Sequence, residues 1–219
     1  MKPSKKFLTH SLFAVYKELL LEKSDVQLEK ELFELAEDSA IYSEKEIFDN
    51  KKRMEEMRKI LPYKELHCEI DGSVLTWYDD PEEKTGKNLI GSAGFIVRAE
   101  EEVLMKQSFS IPKKYAGQDT TSHIAEYQAL ISCLRVLYIY HTKPEHLSLT
   151  IYSDSEVTVK QINMAVTTRK DYQRELRDEA LYYMRQFKDV KLVYIPREQN
   201  KDADKLAKSN TIKEKEALS

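Results

Sequence analysis

Four acids sit in settings suited to more than surface charge: Asp71 in Ile70-Asp71-Gly72-Ser73, Glu126 in Ile124-Ala125-Glu126-Tyr127, Asp154 in Tyr152-Ser153-Asp154-Ser155, and Asp204 in Asn200-Lys201-Asp202-Ala203-Asp204. Gathered in one cleft, four carboxylates carry about -4 and repel one another unless divalent cations supply about +4. Oxygen-only ligands suit Mg2+, with Mn2+ the alternative. Two such ions activate a water on one side of a phosphorus and hold the leaving oxygen on the other, which is the chemistry of phosphodiester hydrolysis. Taken singly the acids say little. Acidic residues number 38 of 219, an Asp-Gly-Ser step is commonly a turn, and Asp154 and Asp204 equally suit the first turn of a helix.

The elements that must position these acids follow from the periodicity of the chain. All five glycines fall between Gly72 and Gly117, whereas neither Gly nor Pro occurs from Ser4 to Leu61, which predicts a helical N-terminal segment. Leu8, Leu12, Val15, Tyr16, Leu19 and Leu20 step by three and four. Leu28, Leu32, Leu35 and Ala36 follow the capping-box pair Ser24 and Gln27, and Ile47, Met54, Met57 and Leu61 follow Ser43 and Glu46. A small all-α module over 1–64 is expected, ending near Pro62. Its charges are mixed, 13 basic against 14 acidic through Leu66. A solvated bundle face and a surface for self-association, a partner or nucleic acid are both open readings.

From Leu66 the period becomes two. Cys68 and Ile70 alternate with Glu69 and Asp71, Leu89 to Val97 forms a second apolar run, and Glu102 to Ile111 alternates again, predicting an antiparallel meander. Ile124, Ala125, Ala129, Leu130, Leu134 and Leu137 then have helical spacing to about Tyr140. A strand at Leu147 to Ile151, helices at Val157 to Ile162 and Tyr172 to Phe187, a strand at Val190 to Ile195 and a helix at Asn200 to Lys208 complete the order.

That order, with an acid at each of the four junctions, resembles the ribonuclease H type 1 family over about Leu66 to Ser209. The resemblance implies an α/β domain over 65–210, a ribonuclease H-like five-stranded mixed sheet flanked by helices; beyond it the polar stretch 211–219 is expected to be a flexible tail. It implies a metal-dependent endonuclease that hydrolyses the RNA strand of RNA/DNA hybrids with two metal ions, leaving 5′-phosphate and 3′-hydroxyl ends. In that scheme Asp71 bridges both ions, Asp204 helps hold the ion on the nucleophile side, and Glu126 and Asp154 serve the leaving-group side. Gly72, Ser73, Thr121, Ser122, His123, Ser155, Arg197 and Asn200 are the expected substrate contacts.

Three places depart from the family's pattern. Thr121-Ser122-His123 stands where the family commonly has Thr-Asn-Asn, Glu156 stands where it often has Gln, and the loop Ile195-Pro196-Arg197-Glu198-Gln199 lacks its histidine, leaving Arg197 or Glu198 in that stretch. Two other readings therefore stand beside the first: a weak or inactive module of the same fold that binds nucleic acid or assembles with a partner, and a nuclease of this fold acting on another nucleic acid.

A net charge of -3 and a pI near 6.0 argue against gripping nucleic acid by bulk positive charge. Local phosphate contacts are left to Lys113, Lys114, Lys160, Arg169, Lys170, Arg174 and Arg177. No run approaches the ~18 apolar residues of a membrane span, and Met1 to His10 has no signal-peptide pattern, so a cytoplasmic protein is expected. Cys68 and Cys133 lack metal-ligand spacing and read as reduced, buried thiols rather than a zinc site.

Overall fold

Strict alternation opens the first strand, β1 (Glu65–Asp80), where Leu66, Cys68 and Ile70 are fully buried and the side chains between them are half-exposed. It pairs antiparallel with β2 (Thr85–Ala99), which pairs antiparallel with β3 (Glu102–Ile111). A two-residue ladder of β4 (Lys114–Tyr115) and β5 (Gln118–Asp119), not foreseen in the sequence, leads into α1 (Ser122–Tyr140). Next come β6 (Ser148–Ser153), α2 (Glu156–Ile162), α3 (Asp171–Met184), β7 (Asp189–Tyr194) and α4 (Lys201–Leu218). Strands β6 and β7 run parallel to β1, so the sheet is mixed and five-stranded, in the order β3-β2-β1-β6-β7. The computed structural model describes residues 52–53, 55–80, 82–164, 166 and 170–218.

The chain divides into two compact units, 1–59 and 60–219. In the first unit residues 52–53 and 55–59 are helical, and the two helices expected before Ser43 lie outside the described residues. Residues 60–64 belong with the second unit, where the Tyr63 carbonyl lies 3.2 Å from His141 Nε2.

Successive strand residues face opposite sides of the sheet. Leu66, Cys68, Ile70 and Gly72 look toward α1, whose Thr121 caps the helix by accepting from the Ile124 amide at 3.3 Å. Helix α1 is buried almost all round because the sheet covers one side and α3 the other. On this face the buried, free Cys68 and Cys133 meet, and their hydrogen bond together with burial pushes the Cys133 thiol up. Helix α4 covers the opposite face, packing Ala207 against Gly94, where a Cβ would lie 3.1 Å from the Ala207 amide nitrogen.

The end of α4 corrects the expectation of a flexible tail. The helix continues through Leu218, Thr211 is buried with its hydroxyl donating to the Lys208 carbonyl at 2.7 Å, and the Lys215 ammonium sits 5.4 Å from the Trp77 ring centre. The segment has no Gly or Pro to stop it, and a buried side chain and a cation–π contact hold its polar turns to the domain. Among the described residues no helix is long and apolar enough to cross a membrane.

Candidate active site

The parallel pairing of β1 with β6 puts two of the four acids side by side. The last pair in register is Glu69 with Tyr152, and Asp71 and Asp154 each lie two residues beyond it on the same face, Asp71 midway along β1 and Asp154 just past the C-terminal end of β6. Asp154 follows Ser153, whose hydroxyl accepts from the Ser155 amide at 3.1 Å as the chain leaves the strand. The third acid comes from the other face. Gly72 lies so close to the start of α1 that a Cβ there would be 2.3 Å from both the Ala125 carbonyl carbon and the Glu126 nitrogen. Only glycine permits that approach, and it lets the Glu126 carboxylate accept a hydrogen bond from the Gly72 amide.

As a result, one carboxylate oxygen each from Asp71, Glu126 and Asp154 lies within 4.8 Å of the other two. Asp71 is 4% exposed and Glu126 8% exposed, and Glu126 Oε2 is buried without a hydrogen-bond partner. Asn200, fully buried, fixes the third member: its Nδ2 donates to the Ile70 carbonyl at 2.9 Å and to Asp154 Oδ1 at 3.2 Å. The fourth acid, Asp204 in the first turn of α4, stands outside this group. Its Oδ1 accepts from Arg197 Nη2 at 2.9 Å and its Oδ2 from Lys208 Nζ at 2.8 Å.

Burial, followed by the charges of Asp154 and Asp204, pushes Asp71 up from 3.8 to about 7. Burial and the charges of Asp71 and Asp154 push Glu126 well above the usual carboxylate range, against the opposing pull of the Gly72 amide and Arg197. Asp204 behaves in the opposite way: burial would raise it, but the hydrogen bonds from Lys208 and Arg197 outweigh burial and hold it below 3.8. The group of three is therefore under like-charge strain while the fourth acid is neutralised by side chains. An all-oxygen donor set, crowded, desolvated and with an unpartnered buried oxygen, fits a divalent cation.

The other expected site residues divide into two kinds. Thr121 and Ser122 are exposed at the start of α1, Ser73 is half-exposed on β1, and Arg197 is exposed beside Asp204, all open to a ligand. Ser155 is half-buried at the start of α2, its hydroxyl 2.9 Å from that of Thr158. Gly72 and Asn200 are packed into the structure. There they shape the acid group, Asn200 through its bonds to the Ile70 carbonyl and Asp154 and Gly72 through its close approach to α1. His123 also turns inward, its ring edge-on to Tyr127 at 5.1 Å and its Nε2 buried; burial holds its pKa down despite nearby Gln161. Lys208 was not foreseen. Its spacing from Asp204, four residues on one helix, was the available signal.

The fold has known counterparts. The reverse transcriptase-like family model matches residues 84–210, more than half of the chain, and the chain belongs to that family, with a ribonuclease H-like domain. RNase H1 of the halophilic archaeon Halobacterium salinarum NRC-1 is 21% identical with a TM-score of 0.53, over 66% of this chain and 95% of that one. The N-terminal RNase H domain of Rv2228c from Mycobacterium tuberculosis is 19% identical with a TM-score of 0.56, over 71% and 99%. LC11-RNase H1, isolated from compost by a metagenomic approach, is 24% identical with a TM-score of 0.56, over 72% and 100%. The same LC11 enzyme in complex with an RNA/DNA hybrid matches at 21% identity and a TM-score of 0.51, over 66% and 94%.

Proposed function

We propose that this protein is a metal-dependent endonuclease that cleaves the RNA strand of RNA/DNA hybrids, leaving 5′-phosphate and 3′-hydroxyl ends. The observation that carries the reading is the convergence of Asp71, Glu126 and Asp154 where the parallel pairing of β1 with β6 ends, with a buried Glu126 oxygen unpartnered. The hybrid-bound LC11 enzyme shares the fold and supports the substrate class. Asp71, Glu126 and Asp154 would hold a divalent ion, with Asp204 the adjoining carboxylate for a second. An ion bound there supplies Lewis-acid polarisation of the phosphodiester and lowers the pKa of a water. The chain's own residues orient the site. Asn200 ties Asp154 to the β1 backbone, the Gly72 amide steadies Glu126, and the exposed guanidinium of Arg197 offers positive charge to a phosphate entering from solvent. Thr121, Ser122 and Ser73 lie open to meet the strand, and a ribose 2′-hydroxyl is the group by which RNA is told from DNA.

The experiment offers the full chain labelled RNA/DNA hybrid, duplex DNA and duplex RNA, each with Mg2+, Mn2+ or chelator. Cleavage of the hybrid alone, abolished by chelator, is the expected result. The engagement of both Asp204 oxygens by Arg197 and Lys208 favours a second reading, a hybrid-binding module without turnover. Metal-independent hybrid binding with no cleavage under any metal would select it.

A further inference from the structure

The fourth acid carries a feature that the metal reading leaves unused. Asp204 is mostly buried, its side chain 18% exposed, while Lys208 and Arg197 are 48% and 65% exposed, so both cations reach it from the solvent side. Their influence passes beyond Asp204, since both ease the negative charge on Asp71 and Arg197 also eases that on Glu126. The four acids are thus served in two different ways. Three crowd together with an oxygen to spare, and one is already paired by the protein itself.

Resting on the metal-site reading above, we propose that Lys208, assisted by Arg197, is a built-in counter-cation standing where a second divalent ion would meet Asp204, so that the protein binds one ion tightly and a second only as the Lys208 ammonium withdraws. Three observations carry this. The ammonium at 2.8 Å from Oδ2 and a divalent ion bonded to that oxygen, at about 2.0 to 2.1 Å for Mg2+, would occupy overlapping space with like charge. Lys208 is anchored one turn along α4 from Asp204, so its flexible stem can swing away with no change in the backbone. Finally, the Lys208 side chain is half-exposed, so water can take up its ammonium as it leaves, and it opposes a second ion without excluding it. Lys208 is a positioning residue, acting on metal loading rather than on substrate.

The test is a titration of the metal-free full chain with MnCl2, followed by calorimetry and by the electron-spin signal of free Mn2+. The chains compared are the parent, Lys208→Met, Lys208→Gln and the double variant Lys208→Met with Arg197→Met. In the parent one strong and one weak equivalent are expected. In Lys208→Met and Lys208→Gln the second equivalent tightens about tenfold while the first changes little, as loss of a unit charge next to a dication requires, and the double variant tightens it further. A second equivalent unchanged in both single variants, or two equally strong equivalents in the parent, overturns the proposal. Failure of every chain to take up even one ion is a different outcome and overturns the metal-site reading beneath it. Because Lys208 is half-exposed, both single variants should melt close to the parent, and thermal unfolding verifies that each is folded before titration.

Discussion

Replacing Asp71 by Asn should abolish cleavage and, in the metal-free protein, make the fold more stable. Asn keeps the shape of the side chain, removes its charge, and gives an amide that donates to the neighbouring carboxylates. The folded state holds a proton on Asp71 up to about pH 7, whereas an unfolded chain releases it near 3.8, so stability falls as pH rises between those values. At about 1.4 kcal/mol per tenfold, that gap corresponds to a cost of about 4 kcal/mol above pH 7, before any relief from water entering the site. For a chain of this size, the variant should therefore melt roughly 5 to 15 °C above the parent at pH 8 in chelator. At pH 5 the parent Asp71 is protonated when folded but largely ionised when unfolded, so about 1.6 kcal/mol of that cost persists and the difference should shrink to less than half. The assay is thermal unfolding by circular dichroism at both pH values, with and without Mg2+. Ion binding stabilises the parent by about 2.7 kcal/mol at a hundred times its dissociation constant, and the variant should gain far less. A variant less stable than the parent at pH 8, or an advantage that persists undiminished at pH 5, would refute the claim that desolvated like charge is what strains this site.

Three further outcomes follow from the packing. Gly72→Ala places a methyl 2.3 Å from the α1 backbone, so helix and strand must part; a loss of about 1–3 kcal/mol or more, measured by urea unfolding, should accompany loss of cleavage. Asn200→Ala leaves the buried Ile70 carbonyl without its donor and frees Asp154, costing about 1–3 kcal/mol in stability and reducing kcat, with KM for hybrid little changed. A chain of residues 60–219 should fold and retain the acid group, while hybrid affinity or solution mass changes if the unit 1–59 serves in binding or association; failure of 60–219 to fold would show that the first unit completes the core of the second.

The strands were legible because each has one buried face, which writes itself as alternation: Leu66, Cys68 and Ile70 mark β1 by their spacing alone. Glu126, Asp154 and Asp204 were legible because each sits near the start of a helix or the end of a strand, whereas Asp71 lies within β1 and stands out by the glycine that follows it. Other features depend on distances that the chain order hides. Asn200 looks like a helix-start polar residue, and nothing local says that its amide reaches the carbonyl of Ile70, 130 residues earlier. His123 reads as a polar group at a helix start, yet its ring turns inward to Tyr127. The final turns of α4 are too polar to show a buried stripe, and what holds them, buried Thr211 and the Lys215 contact with Trp77, leaves no periodic mark. The Lys208–Asp204 pair was visible as an (i, i+4) spacing, but such spacings on exposed helices are mostly solvated pairs, and only burial of Asp204 gives this one weight.

The position of the site follows from the register of β1. Asp71 and Gly72 are neighbours in sequence and must face opposite sides of the sheet, so the acid meets Asp154 on the face of α4 while the glycine admits α1 on the other. A slip of one residue would exchange them, turning a carboxylate into the α1 backbone and leaving Asp154 beside a residue with no side chain. Such a slip would also expose Leu66, Cys68 and Ile70, all fully buried in the observed register. The apolar alternation that stabilises the sheet is thus the same constraint that gathers the carboxylates. A carboxylate group built this way needs no stabilising contribution from its own charges, which is why it can hold Asp71 and Glu126 far from the pKa values they would have in water.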